Sequence, residues 1–163
     1  MRILVISDSH RANANVKKVL ERVGKIDAMI HLGDAEGSED IFRQWLEPDC
    51  ELFIVRGNND FFSDLESERS VQIGRYSVLL CHGHLYNVSL GVELLRKEAR
   101  ARNYDVAMYG HTHRPYFENR DGLVILNPGS ISYPRQEGRK PSYLIMEIDG
   151  KGNAHYTQNY LER

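Results

Sequence analysis

The segment Arg2-Ile3-Leu4-Val5-Ile6-Ser7-Asp8-Ser9-His10 indicates both the fold class and the chemistry of the chain. Its first part, Ile3 to Ile6, is a continuous apolar run, which is typical of a strand buried on both faces of a sheet. Asp8 and His10 alternate with Ser9, so in extended backbone their side chains point the same way and can hold one ion. The segment therefore predicts a buried strand with metal-ligating residues at its end.

Helical and extended patterns alternate after this strand. Apolar residues at positions 16, 19, 20 and 23 recur at helical spacing, and Gly24 is expected to end that helix. Apolar runs at residues 28–32 and 52–55 predict two further buried strands, separated by a short helix around residues 41–46 that stops before Pro48. This βαβαβ start favours parallel pairing of the strands.

The second half of the chain has a different pattern. Residues 70–73 and 76–81 flank Gly74-Arg75, which predicts a tight hairpin and antiparallel pairing. A helix is expected from about Leu90 to Arg102, and Pro134 to Pro141 is expected to form the longest loop. The remaining strands are predicted at residues 106–109, 116–118, 123–126, 143–146 and 155–160.

Composition and charge limit the class of protein. The 163 residues, of which 41% are hydrophobic, suit a single domain over residues 1–163, because a chain of this length buries a sizeable core. Only Cys50 and Cys81 are present, which fits a reducing cytosol, so a cytoplasmic location is expected. The N-terminal apolar run is too short for a signal peptide, and no run reaches membrane-spanning length, so no membrane partner is expected. The net charge of −2 lacks the basic excess that points to nucleic acid.

Short clusters of His, Asp, Asn and Gly follow several of the apolar runs and contain five of the seven histidines. At strand ends, such clusters can converge on one cleft. The clusters are Asp8-Ser9-His10, Gly33-Asp34, Gly57-Asn58-Asn59-Asp60, His82-Gly83-His84 and Gly110-His111-Thr112-His113.

The mixture of donors in these clusters predicts two divalent metal ions. Carboxylate, imidazole and amide donors together fit a borderline transition metal, because calcium and magnesium prefer shells made only of oxygen. Manganese is the expected metal, with iron, zinc and nickel as alternatives. Asp34, which follows the flexible Gly33, is the natural carboxylate to bridge the two ions. A hydroxide that bridges the ions could then attack phosphorus in line without any protein nucleophile.

In order and spacing, these motifs resemble the calcineurin-like metallophosphoesterase superfamily, whose pattern is D-x-H, G-D, G-N-x-D/E, H-G-H and G-H-x-H. Within it, the chain is similar to the small, single-domain YfcE-like phosphodiesterases. The resemblance covers Ile3 to Tyr143 and includes Asn127-Pro128-Gly129-Ser130. It implies an α/β fold in which two mixed β-sheets pack as a β-sandwich flanked by helices in four layers.

The resemblance also implies a division of ligands between two sites. Asp8, His10 and His113 would hold the first ion, and Asn58, His82 and His111 the second, with Asp34 bridging them.

Two positions depart from the family pattern. Larger phosphatases have a histidine after the ligand asparagine, where this chain has Asn59, which can donate a hydrogen bond but cannot deliver a proton. The enzyme is therefore expected to act on diesters with good leaving groups or to use another acid, such as His84 or a metal-bound water. His84 is otherwise read as a phosphate contact or as support for a ligand. Arg11 replaces the usual glycine and is either a phosphate clamp or a solvated loop residue.

The function implied by the resemblance is a divalent-metal-dependent phosphodiesterase with a small-molecule diester as substrate. The alternatives are a nuclease of the same chemistry and a protein-binding scaffold of the same fold, as in the retromer subunit. Nucleic acid is the alternative partner, because the second-half helix and the loop around Arg139 carry basic residues. Such charges more often form a solvated face. A homo-oligomer is compatible with the sequence. Two histidines outside the clusters are interpreted as structural, with His31 in a strand and His155 on the surface.

Overall fold

The computed structural model describes residues 1–162, which form two five-stranded sheets and three α-helices. A 3₁₀ turn covers His84–Tyr86. The elements in chain order are β1 (Arg2–Ile6), α1 (Asn13–Val23), β2 (Ala28–His31), α2 (Glu39–Trp45), β3 (Glu51–Ile54), β4 (Glu68–Ile73), β5 (Tyr76–Cys81), α3 (Glu93–Ala101), β6 (Val106–Met108), β7 (Pro115–Arg120), β8 (Leu123–Pro128), β9 (Ser142–Ile148) and β10 (Ala154–Tyr160).

The first sheet has the strand order β10-β9-β1-β2-β3. The strands β1, β2 and β3 pair in parallel, as the alternating pattern predicted, while β9 pairs antiparallel with both β1 and β10. The expected helix ends are also confirmed, because α1 is capped by Gly24 and α2 stops before Pro48.

The second sheet has the order β4-β5-β6-β8-β7. The predicted hairpin at Gly74-Arg75 is confirmed by the antiparallel pairing of β4 with β5. Antiparallel pairing nevertheless describes only the outer strand pairs, because β5, β6 and β8 are parallel. The parallel centre follows from α3, which connects β5 to β6 as a crossover and returns the chain in the same direction.

Four layers result from the packing of the two sheets between the helices. Leu4 and Ile6 of β1 pack with α1 and α2, whereas Ile3 and Val5 face the second sheet. This division confirms that the apolar run of β1 is buried on both faces, since successive strand residues point to opposite sides. On the far face of the second sheet, Leu95 of α3 lies in a third apolar cluster. The predicted four-layer α/β arrangement is therefore present.

The helix in the second half starts later than predicted. It begins at Glu93 rather than about Leu90, because Gly91 has a backbone φ of 139°, which no α-helix contains. Leu90 is consequently 92% exposed. The predicted loop over residues 134–141 contains no helix or strand. Within residues 1–162, none of the helices is both long and apolar enough to cross a bilayer.

Candidate metal centre

Five loops that follow strands meet at one edge of the two sheets. Since the carboxyl ends of parallel strands share an edge, residues that follow them converge there. The structure brings together all seven predicted ligands at this edge. They are Asp8 and His10 after β1, Asp34 after β2, Asn58 after β3, His82 after β5, and His111 and His113 after β6.

The first group consists of Asp8, His10 and His113, which were predicted to hold one ion. The Nε2 atoms of His10 and His113 lie 3.3 Å apart. Oδ1 of Asp8 lies 3.1 Å from Nε2 of His113 and 3.9 Å from Nε2 of His10. These three side chains place their ligand atoms close enough to share one cation.

The second group consists of Asn58, His82 and His111. Oδ1 of Asn58 lies 3.0 Å from Nε2 of His82 and 2.9 Å from Nδ1 of His111. One amide oxygen and two imidazole nitrogens therefore meet at a second position beside the first group.

Asp34 lies between the two groups. Its Oδ2 atom is 3.7 Å from Nε2 of His10 and 3.5 Å from Nε2 of His82. Asp8 also reaches toward the second group, with its Oδ1 atom 3.8 Å from Nε2 of His82. Both carboxylates consequently contact histidines from both groups.

Hydrogen bonds on the outer nitrogen of three histidines fix their tautomers. Nδ1 of His82 lies 2.6 Å from the carbonyl oxygen of Leu32, and Nδ1 of His113 lies 2.8 Å from that of Tyr133. Because a carbonyl oxygen only accepts, both Nδ1 atoms carry a proton, and in the neutral ring each Nε2 atom presents a lone pair to the site.

His10 follows the same pattern through a carboxylate. Its Nδ1 atom lies 2.6 Å from Oε1 of Glu36, which accepts the Nδ1 proton and leaves Nε2 as a lone-pair donor. Histidine ligands of metals are commonly oriented in this way by a carboxylate or a backbone carbonyl.

A buried acceptor at the centre tests whether a metal fits these residues. Oδ1 of Asp8 is buried and accepts no hydrogen bond within residues 1–162. Its nearest nitrogen, Nε2 of His113, presents a lone pair when the ring is neutral. Buried hydrogen-bond acceptors are normally paired with a donor. Lone pairs of a carboxylate and of imidazoles that face one another are therefore best satisfied by a shared cation. Carboxylate, imidazole and amide donors fit a divalent transition metal.

The electrostatics of Asp34 keep it ionised. Burial raises the pKa of this carboxyl, but its interaction with His82 and its hydrogen bonds from Asn59 outweigh burial and hold the pKa well below its usual range. The backbone N–H of Asn59 donates to Oδ1 over 2.8 Å, and its side-chain amide donates to Oδ2 over 2.7 Å. The Asn59 amide therefore orients the carboxylate that lies between the two groups.

Residues 1–151 match the model of the calcineurin-like phosphoesterase superfamily domain. The chain belongs to this superfamily. The predicted superfamily is thereby confirmed.

Two curated relatives agree with this membership. The probable metallophosphoesterase YsnB of Bacillus subtilis is 33% identical over 150 residues, which cover 91% of this chain and 85% of YsnB. The phosphodiesterase YfcE of Escherichia coli is 29% identical over 171 residues, which cover 91% of this chain and 89% of YfcE. These phosphoesterase relatives confirm the resemblance to the small branch.

Solved structures share the fold. A predicted phosphoesterase from Streptococcus pneumoniae has a TM-score of 0.76 and 30% identity, with 97% of each chain covered. Vps29 of Entamoeba histolytica, in a structure complexed with Zn²⁺, has a TM-score of 0.77 and 26% identity, with 98% of this chain and 99% of Vps29 covered. The fold is thus found both in a predicted phosphoesterase and in Vps29, a name that stands for vacuolar protein sorting.

Asp60 organises the loops of this candidate site, a role that its place in the G-N-x-D motif does not reveal. Its Oδ2 atom accepts hydrogen bonds from the backbone N–H groups of Asp34, over 2.8 Å, and Gly57, over 2.6 Å. Its Oδ1 atom accepts from the N–H of Glu36 over 2.7 Å. One buried carboxylate thus joins the loops after β2 and β3.

Two serines hold the first ligand loop. The hydroxyl groups of Ser130 and Ser132 both donate to the backbone oxygen of Asp8, over 2.8 Å and 2.6 Å. Ser130 belongs to the Asn127-Pro128-Gly129-Ser130 run, which was noted in the sequence without a role. Ser132 and Glu36 had no signal in the sequence, because their contacts join segments that are distant along the chain.

His84 and Arg11 are the two predicted substrate contacts. The His84 ring is half-buried, with its centroid 5.5 Å from that of His82 and 6.1 Å from that of His111. The Arg11 side chain is 75% exposed, and its Nε donates to the backbone oxygen of Glu36 over 3.1 Å. Substrate contact by either residue stays a prediction.

His31 has the structural role that its strand position indicated. It is fully buried, and the N–H of Gly33 donates to its Nδ1, so its Nε2 carries the proton and donates to Ser9 Oγ over 2.9 Å. Burial lowers the pKa of His31 to about 4, so the ring is neutral at pH 7. His155 is exposed and pairs with Asp149, as expected of a surface residue.

Proposed function

We propose that this chain is a divalent-metal-dependent phosphodiesterase with a binuclear site. The supporting observation is that the Nε2 atoms of His10, His82 and His113, which present lone pairs in their neutral rings, lie within 3.9 Å of Asp8 Oδ1. This buried oxygen accepts no hydrogen bond within residues 1–162. In this proposal Asp8, His10 and His113 hold one cation and Asp34 bridges. The second cation is held by Asn58, His82 and His111.

The cations would supply a water of lowered pKa and charge neutralisation at the phosphate. The chain supplies the geometry, because Asp60 and Asn59 fix the loop and the carboxylate of Asp34. No side chain is needed as nucleophile. The thiol of Cys81 is buried and directed at the backbone oxygen of Met108, and the hydroxyl of Ser7 is buried and donates to Asp8.

The position after the ligand asparagine favours diesters with good leaving groups. Asn59 cannot deliver a proton, and its amide is already engaged with Asp34. A leaving group that departs as a stable anion needs no acid at this position. The proposed substrate is therefore a small diester with an acidic leaving alcohol.

Nucleic-acid contact along α3 is disfavoured by the ion pairs of Arg96 within the helix and of Arg102 directly after it. Arg96 donates two hydrogen bonds to Glu118 and also pairs with Glu93, while Arg102 pairs with Glu68. Paired guanidinium groups contribute little to the attraction of phosphates. We therefore propose a small molecule rather than a nucleic acid as the substrate.

Metal reconstitution tests this function against a scaffold role. Protein stripped with a chelator is loaded separately with Mn²⁺, Fe²⁺, Zn²⁺ or Ni²⁺ and assayed on bis-p-nitrophenyl phosphate and p-nitrophenyl phosphate. We expect two bound ions per chain, turnover of the diester over the monoester, and the highest activity with Mn²⁺. Metal binding without turnover of either ester would favour a scaffold.

A pair of histidine variants provides the control. His82→Gln should lose bound metal and diesterase activity together, because Nε2 of His82 contacts Asn58 and both carboxylates. His155→Gln changes a histidine that is 61% exposed at the distant Asp149 turn and should keep both. Equal losses in the two variants would argue against the assigned site.

A further inference from the structure

A groove of about 950 Å³ opens beside the first ligand group. His10 and His113 form one end of its lining, and the remainder comes from Arg114 and the loop of residues 132–141. Ligand pockets in proteins range from roughly 300 to 1,000 Å³, so this groove exceeds what a phosphate alone would fill.

The charge of the groove is positive. Its lining includes Arg114, Arg135 and Arg139, and no acidic residue of the described chain is part of it. Across residues 1–162, no carboxylate pairs with the exposed guanidinium groups of Arg114 and Arg135. Guanidinium groups bind phosphate oxygens through two parallel hydrogen bonds, so the groove suits an anionic ligand.

An exposed aromatic ring lines the groove next to the first ligand group. The Tyr133 side chain is 59% exposed, and its ring meets the His10 ring edge-on with centroids 5.4 Å apart. The backbone oxygen of Tyr133 accepts the Nδ1 proton of His113, which ties this residue to the first ligand group. Exposed aromatic rings beside basic side chains serve as stacking platforms for flat heterocycles.

We propose that this groove binds the non-leaving half of the diester and that this half is a nucleotide with an additional phosphate. The heterocycle stacks on Tyr133, and the additional phosphate contacts Arg114 and Arg135. The hydrolytic part of this inference rests on the proposed function, whereas binding in the groove does not. Arg96 of α3 and Arg102 directly after it are ion-paired with Glu118 and Glu68, which favours a small nucleotide over a polymer that follows α3.

Two diesters with the same reacting phosphorus and leaving group isolate the additional phosphate. They are thymidine 5′-(p-nitrophenyl phosphate) and its 3′-phosphorylated form. We expect kcat/KM to be about tenfold higher for the 3′-phosphorylated diester, as charge-assisted hydrogen bonds provide. Arg135→Gln and Arg114→Gln should reduce this preference severalfold. Arg75→Gln, in the hairpin turn at the other end of β5 from His82, should leave it unchanged.

Binding to the metal-free protein separates the groove from catalysis. Calorimetry should show tighter binding of thymidine 3′,5′-bisphosphate than of thymidine. Arg135→Gln should reduce this difference in affinity, whereas Tyr133→Leu should weaken the binding of both ligands. If no ester is hydrolysed but this binding pattern holds, the proposed function fails and the groove assignment stands. Equal binding of both ligands, or an equal effect of Arg75→Gln, would overturn the assignment. Tighter binding of a single-stranded oligonucleotide with a steep salt dependence would assign the groove to a polymer and overturn it as well.

Discussion

Asp34 places one carboxylate oxygen between His10 and His82, and because of this position a change at Asp34 should have a larger effect on activity than a change at a histidine. Asp34→Asn should lower kcat/KM at least about a thousandfold, which corresponds to about 4 kcal/mol, because both cations lose a shared negative charge. Substitution of any single predicted histidine ligand should lower kcat/KM by a smaller factor. The measurements are kcat/KM on bis-p-nitrophenyl phosphate and the number of bound metal ions.

Asp8→Asn is the informative comparison, because Oδ1 of Asp8 also contacts histidines of both groups. A larger loss in Asp8→Asn than in Asp34→Asn would assign the bridge to Asp8. Mild and equal losses at all ligands would contradict a bridging carboxylate. Asp149→Asn, at a turn remote from the site, serves as the control for the loss of a charge.

Asn59 occupies the position of the expected general acid and also orients Asp34 through a hydrogen bond. Asn59→His should raise kcat on diesters with poor leaving groups by roughly tenfold to a hundredfold relative to good ones, since a general acid assists only where the alcohol needs a proton. The measurement is the slope of log kcat against the pKa of the leaving group. Asn59→Ala, which removes the 2.7 Å hydrogen bond to Asp34 without adding an acid, should lower kcat for all leaving groups alike. An unchanged slope in Asn59→His, together with full turnover in His84→Ala, would refute the acid hypothesis.

At the scale of elements, the loop after β6 can lie against the loop after β1 only because residue 110 has no side chain. A Cβ atom on Gly110 would lie 2.0 Å from Ser7 Oγ and 2.8 Å from Asp8 Oδ2. Gly110→Ala should therefore destabilise the fold by about 1–3 kcal/mol and weaken metal binding by separating Asp8 from His111 and His113. Denaturant unfolding and metal titration measure the two effects. Gly150→Ala meets no atom within 4 Å and should change neither.

The elements differ in how far the sequence specified them. The first strand was predictable because an uninterrupted apolar run can only be buried on both faces, and Gly74-Arg75 was predictable because few dipeptides form tight hairpins. The parallel centre of the second sheet was not, since pairing direction depends on how α3 crosses the sheet. The helix starts at Glu93 and not at about Leu90 because Gly91, with a φ of 139°, cannot belong to a helix, and the apolar pattern alone does not show this.

The sequence specified the candidate site in part as well. The predicted ligands occur in short motifs, so their types and order could be found in the sequence, and the structure brings these seven side chains to one edge of the sheets. Glu36, Ser132 and the carbonyl groups of Leu32 and Tyr133 could not be found, because their roles exist only through contacts between separate loops. Their function, to fix the tautomers and backbone around the ligands, becomes visible only in three dimensions.

For the whole molecule, the ligands join the two sheets. Asp8, Asp34 and Asn58 follow strands of the first sheet, while His82 and His111 follow strands of the second. A cation bound by both sets, as proposed, would link the halves of the sandwich in the folded state, and the unfolded chain would hold no such site. Binding of this kind stabilises the fold by mass action.

Thermal unfolding of metal-loaded and chelated protein tests this link. At a free Mn²⁺ concentration of about 100 times Kd the gain in stability is about 2.7 kcal/mol, which for a chain of this length raises Tm by roughly 5–10 °C.

Burial lowers the pKa of His82, but Asp34 and Asp8 outweigh burial and raise it above its ordinary value of 6.5. In the metal-free protein, protonated His82 therefore adds stability below pH 6.5 that is lost as the pH rises through the folded-state pKa. The metal-loaded protein requires neutral imidazoles, so its advantage in Tm should widen as the pH rises above 6.5 and shrink in acid. Ca²⁺, which prefers oxygen ligands, should give a smaller gain, and a gain in Tm that is independent of pH or equal for Ca²⁺ would contradict histidine ligation.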